Sequence, residues 1–241
     1  MKRKYFDLVY EDDDLLVVDK AAGIYTINPR HDTNDFVLYE TLKSKYPGLL
    51  LVHRLDRDTS GLIVFARNSK SQKNLTSQFE NNSIQKNYYA FVDGRLDFDE
   101  TYMIDVPILI VPGRYKVSIH EKGRPSQTKI RIVETYQDFT LLEAKLLTGR
   151  THQIRVHLNY IGYPLLVDKL YGQRSEFYLS EIKKKYRVKK DEMERPLVSR
   201  QTLHAHKLEL IHPTTNEALE FNSELPKDLQ ALQKQLRKHN R

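Results

Sequence analysis

Residues 5–10 (YFDLVY) and 15–20 (LLVVDK) are dense in β-branched and aromatic side chains and flank the acidic run Glu11-Asp12-Asp13-Asp14. This pattern predicts two short strands joined by a polar turn. Asn34 reads as a helix cap, with Phe36, Leu38, Leu42 and Tyr46 facing inward until Pro47-Gly48 ends the helix. The unbroken apolar run Gly61 to Ala66 (GLIVFA) suits a strand buried on both faces. A helix over 69–82, a strand over 87–93 and strands over 115–120, 127–135 and 139–147 follow. A helix from Thr151 to Ile161 carries the apolar stripe Ile154, Leu158 and Ile161. Strands over 203–211 and 217–222 and a last helix after Leu225-Pro226, apolar at Leu229, Leu232 and Leu236, complete the pattern. Strands outnumber helices and often succeed one another directly, so the expected fold class is α+β, a mixed, mostly antiparallel sheet with flanking helices. One domain is expected over residues 1–241, with Tyr171 to Arg200, polar and weakly periodic, as a basic, mobile surface insertion.

Composition narrows the chemistry. The 241 residues contain no cysteine, which removes disulfides, thiolate metal sites and cysteine nucleophiles, and points to a reducing, cytoplasmic setting. The N-terminus Met1-Lys2-Arg3-Lys4-Tyr5 leads into acidic residues and not into the apolar centre of a signal peptide, so export is not expected. Lys and Arg total 39 against 32 Asp and Glu, a net charge of +7 that favours polyanionic partners without naming one. Positive charge gathers at Lys183 to Lys190 and Arg237 to Arg241, runs that ordinarily form solvated surface.

Two stretches concentrate reactive side chains. In Leu51 to Arg67 (LVHRLDRDTSGLIVFAR), His53, Arg54, Asp56, Arg57, Asp58, Thr59 and Ser60 lie between two strand-like runs, on a loop that a rigid scaffold would hold. Asp56 stands between Arg54 and Arg57, positive neighbours that favour a carboxylate able to act as nucleophile or base; a surface Asp–Arg network with Thr59-Ser60-Gly61 as a turn is the alternative. In Leu147 to Leu158 (LTGRTHQIRVHL), Thr148 or Thr151 is placed to cap a helix, and Arg150 adds charge there, as at an anion site. Arg155, at the margin of the apolar stripe, either reaches inward to a buried carboxylate such as Asp56 or lies along the surface. Metal templates fit poorly: His152 and His157 lack the i, i+4 spacing of a zinc protease helix, and His204 and His206 read as a hydrogen-bonded structural pair. Neither GxxxxGK[ST] nor GxGxxG occurs, which disfavours nucleotide hydrolysis and dinucleotide redox chemistry.

Together the stretches resemble the RluA-like family of pseudouridine synthases. The family's HRLD, two residues and TSGL stand here as His53-Arg54-Leu55-Asp56-Arg57-Asp58-Thr59-Ser60-Gly61-Leu62, and its second block as Thr148-Gly149-Arg150-Thr151-His152-Gln153-Ile154-Arg155-Val156-His157-Leu158. Lys86-Asn87-Tyr88-Tyr89-Ala90, Leu203-His204-Ala205 and His212-Pro213 fall in the family's order, so the likeness covers roughly residues 5–225. The resemblance implies the pseudouridine synthase catalytic fold and isomerisation of specific uridines in ribosomal or transfer RNA, with no metal or organic cofactor. It implies Asp56 as the catalytic carboxylate, Arg155 as its salt-bridge partner, Tyr88 at the target base and Arg54 in displacing the target nucleotide. His53, Arg57, Thr59, Arg150 and His152 join Arg54 as substrate-binding candidates. RNA is the expected partner, with no DNA or membrane, and the protein is expected to be a monomer. The alternative is a non-catalytic RNA-binding or RNA-folding factor on the same fold, a role that needs no combination of Asp56, Tyr88 and Arg155. The sequence departs from the family at Lys20-Ala21-Ala22-Gly23, where Lys-Pro-Ala-Gly is usual, and at Leu166-Val167-Asp168, where Gly-Asp is common. The small RNA-binding domain that many relatives carry upstream is not expected here, because the first strand begins by Tyr5.

Overall fold

A computed structural model describes residues 4–29, 35–111, 116–186 and 193–240. The elements in chain order are β1 (Phe6–Glu11), β2 (Leu15–Lys20), α1 (Leu38–Lys45), β3 (Leu50–Leu51), β4 (Ser60–Ala66), α2 (Ser69–Glu80) and β5 (Gln85–Asp93). Then come β6 (Tyr102–Asp105), β7 (Ile108–Ile110), β8 (Val117–Ile119), β9 (Gln127–Thr135), β10 (Phe139–Leu146) and α3 (Gln153–Tyr160). The chain ends with β11 (Leu203–Ile211), β12 (Ala218–Asn222) and α4 (Lys227–His239). The class is α+β with mostly antiparallel pairing, as the succession of strands predicts. Two compact units are formed, Met1–Asn87 with His204–Glu224, and Tyr88–Leu203 with Leu225–Arg241.

In the first unit the strands lie in the order β1-β2-β4-β11, with β3 beside β4 and β12 beside β11. The acidic run makes the β1–β2 turn because Asp12 Oδ1 accepts the backbone N–H groups of Asp14 and Leu15, both at 2.7 Å. β4 is central and buried at all seven positions, antiparallel to β2 and parallel to β11, where His204 faces Ser60 and Ala205 faces Gly61. Only glycine fits there: a Cβ on Gly61 would lie 2.2 Å from the Ala205 carbonyl oxygen, and its φ is +117°. Leu15, Val17, Leu62, Val64, Leu75 and Leu208 are among the residues of the core, and Asn68 caps α2 by accepting from Ser71 N–H at 2.9 Å. The first helix starts later than the pattern suggests, at Leu38; the expected cap Asn34 lies outside the described residues. Phe36 stacks on Tyr5 at 3.9 Å between ring centroids.

In the second unit β5-β10-β9-β6 are neighbours, and β7 and β8 form a separate hairpin. α4 packs Leu229, Leu232 and Leu236, the predicted stripe, with Phe91, Tyr136, Phe139 and Leu141. Within the C-terminal basic run, Arg237 binds Glu134 at 2.9 Å. The described residues of the 171–200 segment take part in the core and in ion pairs. Phe177 is fully buried with Ile182 and Val198, and its backbone pairs with that of Val198. Arg174 binds Asp93, and Arg200 grips Asp228 at 2.7 and 2.8 Å. The apolar residues of this segment follow neither helix nor strand period, so a periodicity reading passes over them. Arg187 to Lys190, half of the basic run, lie outside the described residues.

Candidate active site

β3 is only two residues long, and the chain leaves it as a loop that carries His53 to Thr59 back to the start of β4. The ladder between β3 and β4 stops at Leu51 opposite Phe65, and the His53 ring continues it, Nε2 accepting the Val64 N–H at 3.0 Å. An imidazole nitrogen that accepts must be unprotonated. Burial, with the positive charge of Lys86 behind it, pushes the His53 pKa down to about 3, although part of the residue still meets solvent. The ring packs on Phe79 at 4.7 Å. His53 is thereby committed to the scaffold.

The backbone on both sides of Asp56 is fixed. Thr26 Oγ1 donates to the Leu55 carbonyl at 2.8 Å and accepts the Leu55 N–H at 3.3 Å. The Lys20 ammonium, wholly buried, donates to the carbonyls of Ala21 (3.0 Å), Ile24 (3.1 Å) and Arg57 (3.1 Å). Gly23 N–H also reaches the Arg57 carbonyl, and Thr59 N–H closes a turn onto the Asp56 carbonyl at 3.3 Å. Asp56 itself is half-buried, Thr59 and Ser60 are buried, and the side chains of Arg54 and Arg57 are exposed. The Arg57 guanidinium lies 5.0 Å from the Tyr25 ring centre and 3.4 Å from Asp35. Ala21 N–H donates to the Tyr5 carbonyl at 2.9 Å, a bond that the family's usual proline at this position has no hydrogen to make. Behind β4, His204 Nδ1 lies 3.0 Å from Ser60 Oγ and Nε2 3.2 Å from Ser223 Oγ, which binds the Asp19 carboxylate. His204 is thus hydrogen-bonded within the scaffold, as its strand position suggests.

The second block surrounds α3. Gln153 organises its entry: Oε1 accepts from Arg150 N–H (3.0 Å) and Thr148 Oγ1 (2.9 Å), and Nε2 donates to the Gln127 carbonyl and Thr128 Oγ1, both at 2.9 Å. The expected cap is corrected here. Neither Thr148 nor Thr151 caps the helix; His152 precedes it in the left-handed region at φ 52°, and Gln153, the first helical residue, does the bonding. The helix is buried from Gln153 to Leu158 and not along one stripe only. Burial brings the His157 pKa down to about 4, and its ring nitrogens lie 3.0 Å from Thr128 Oγ1 and 3.1 Å from the Val106 carbonyl.

Arg155 points into the protein, 4% exposed, and meets a buried carboxylate, Asp168. Nε donates to Oδ2 at 2.7 Å and Nη2 to Oδ1 at 2.9 Å, while Oδ1 also accepts the N–H groups of Leu170 and Tyr171. Burial pushes the Asp168 carboxyl up, and the hydrogen bonds and charge of Arg155 outweigh it, holding the pKa below the ordinary value. The Arg155 guanidinium stands 5.0 Å from the Tyr171 ring centre, and Tyr171 Oη accepts from Val117 N–H at 2.8 Å and lies 3.0 Å from His152 Nδ1. Sequence reasoning did not assign Asp168 or Tyr171. The available signal was a lone carboxylate directly after the apolar run Pro164 to Val167. Tyr88 is 7% exposed on β5, Arg150 is half-buried and Lys169 is exposed.

Residues 14–160, which include Asp56, Tyr88 and Arg155, match the model of a family described as RNA pseudouridylate synthase. A protein of Chloroflexus aurantiacus named "Uncharacterized RNA pseudouridine synthase" is 40% identical over 228 residues, 90% of this chain and 65% of the relative. "Ribosomal large subunit pseudouridine synthase D" of Nitrosomonas europaea is 37% identical over 237 residues, 95% of this chain and 65% of the relative. This chain therefore spans just under two thirds of the length of either protein. The solved structure of "Human RNA Pseudouridylate Synthase Domain Containing 1" superposes with a TM-score of 0.70 at 26% identity, covering 92% of this chain and 84% of that one. With more than half of its length matched to the family model and its fold shared with a solved relative, the chain belongs to the RNA pseudouridylate synthase family.

Proposed function

We propose that the protein isomerises specific uridines in RNA to pseudouridine as one catalytic domain, with Asp56 as the catalytic carboxylate, Tyr88 at the target base and Arg155 positioning Asp56. The observation that carries this reading is the family match running through both motif blocks, with Asp56 on a loop whose backbone is tied at Leu55, Arg57 and Thr59. In the reaction the bond from N1 of uracil to C1′ breaks, C5 bonds to C1′, and the proton that leaves C5 is replaced by one at N1, so substrate and product are isomers. A carboxylate assists by attacking the sugar, by attacking the base or by removing a sugar proton, and each route requires it charged and held in place.

The exposed Arg54 and Arg57, and Arg150 beside α3, are the RNA contacts in this reading, whereas His53, Thr59 and His152 act through the scaffold. One relative is named for the large ribosomal subunit, so ribosomal RNA is the first substrate to test and transfer RNA the second. No metal or organic cofactor takes part, and the protein works as a cytoplasmic monomer. Among the described residues, no helix is long and apolar enough to cross a membrane.

The test is Asp56→Asn, which keeps size and hydrogen bonding and removes the charge. Pseudouridine formation on transcribed ribosomal RNA is expected to vanish while RNA binding persists. Turnover by the variant at a near-normal rate refutes the assignment, and failure of the wild type on ribosomal and transfer RNA alike favours a non-catalytic RNA-binding role.

A further inference from the structure

The first unit buries two lysines of its sheet, and they are treated oppositely. Lys20 spends its N–H groups on three carbonyls. Lys86, on β5, is only 8% exposed, yet among the described residues its ammonium has neither a hydrogen bond nor a carboxylate partner. Its neighbours are the Phe79 ring, 5.3 Å from Nζ to the centroid, and the His53 imidazole, which is neutral and offers no negative charge.

A buried ammonium without an anion is unfavourable, and one aromatic face compensates only in part. Burial accordingly lowers the Lys86 pKa. The group is not sealed. Among the described residues the only fully buried side-chain nitrogen or oxygen without a hydrogen bond is Tyr136 Oη, so Lys86 Nζ keeps an opening to solvent. In a strand, residues two apart share a face, and the burial pattern of β5 has Lys86 and Tyr88 both inward with Asn87 between them less buried.

We propose that Lys86 is a substrate-binding residue whose ammonium pairs with an oxyanion of RNA bound at the loop that His53 begins. This rests on the reading of the chain as an RNA pseudouridine synthase. Two oxyanions have this chemistry: a backbone phosphate flanking the target, and a uracil oxygen, which gains charge when the N1–C1′ bond breaks. The competing account is a lysine carried into the core by its aliphatic stem, with no part in RNA binding.

Lys86→Met keeps the stem and removes the charge. Because the ammonium has no protein partner to abandon, the variant is expected to melt no lower than wild type. Pseudouridine formation is expected to fall roughly tenfold or more, the scale of one lost charge-assisted hydrogen bond. If the partner is a phosphate, the loss appears in the Kd for RNA, measured in an Asp56→Asn background, and the salt slope of log K shrinks by roughly 0.7 to 0.9. If it is a uracil oxygen, kcat falls while Kd and the salt slope stay put. A folded Lys86→Met protein with wild-type kcat and Kd overturns the inference and leaves the proposed activity standing; an inactive wild type overturns the proposed activity instead. Should the variant not fold, acylation of lysines in the wild-type protein at neutral pH decides. Labelling of Lys86 is expected to fall when RNA is bound, and equal labelling with and without RNA overturns the proposal.

Discussion

Asp168 holds the guanidinium of Arg155 by two parallel hydrogen bonds, of 2.7 and 2.9 Å, with the Asp168 side chain 1% exposed and that of Arg155 5%. Removing one member of such a pair leaves the other as an uncompensated buried charge, which costs about 3–5 kcal/mol. Asp168→Ala is expected to lose stability on that scale in urea denaturation, and Asp168→Asn, which keeps a carbonyl acceptor, to lose less. A loss below about 1 kcal/mol for the alanine variant means that the grip contributes little beyond its geometry.

Acid should unfold the protein partly through its depressed carboxyls. Burial pushes Asp168 and Asp228 up, but the hydrogen bonds of Arg155 and Arg200 bring both below the ordinary value, and Ser71 and Asn68 hold Asp14 at about 2. A carboxyl whose folded pKa lies below its unfolded value of about 3.9 lends stability that is complete above that value and is lost as pH falls through the folded pKa. Thermal unfolding followed from pH 7 downward is therefore expected to show stability declining below about pH 4, with a shallower decline for Asp168→Asn. Parallel curves for the two proteins contradict the assignment.

Lys20 serves the loop from beneath. Lys20→Met is expected to cost about 2–4 kcal/mol, because the Ala21, Ile24 and Arg57 carbonyls lose its ammonium as donor, the Ile24 bond in a fully buried place. Hydrogen exchange at the Gly23 N–H, which donates to the Arg57 carbonyl, should quicken more than at the centre of β2. Exchange that quickens evenly across the first unit would show general destabilisation and no special hold on the loop.

Arg54 is exposed, as its proposed role in displacing the target nucleotide requires. Extruding a nucleotide from a paired helix costs a few kcal/mol, and less from a loop. The activity defect of Arg54→Ala should accordingly shrink when the target uridine is unpaired. Identical defects on paired and unpaired targets would reduce Arg54 to a phosphate contact.

The central strand and the first motif block are legible in the sequence because each is local: GLIVFA is one unbroken apolar run, and His53 to Leu62 is contiguous. The partners that fix the block are not local. Thr26 is 29 positions from Leu55, Lys20 is 37 from Arg57, and Asp168 is 13 from Arg155, separations at which no periodicity links two side chains. α3 reads as amphipathic, with an inward Arg155 as one of the two readings that its place at the stripe's margin offers. Gln153 and His157 are also buried with their own hydrogen bonds, a fate that composition does not announce. Strands β3, β6 and β7, of two to four residues, are too short to carry a pattern.

The parallel crossing of β4 and β11 joins Ser60 to His204 across 144 positions, with Gly61 pressed against Ala205. The ribosome makes the chain from its N-terminus, so the His53 to Leu62 motif emerges long before the strand that must lie beside it. A nascent chain stopped short of His204 holds Asp56, Arg54 and Tyr88 but lacks the neighbour of the strand on which the motif ends. Parallel pairing at such separation also forms slowly. The motif is thus written early, and the strand that packs against its end arrives late.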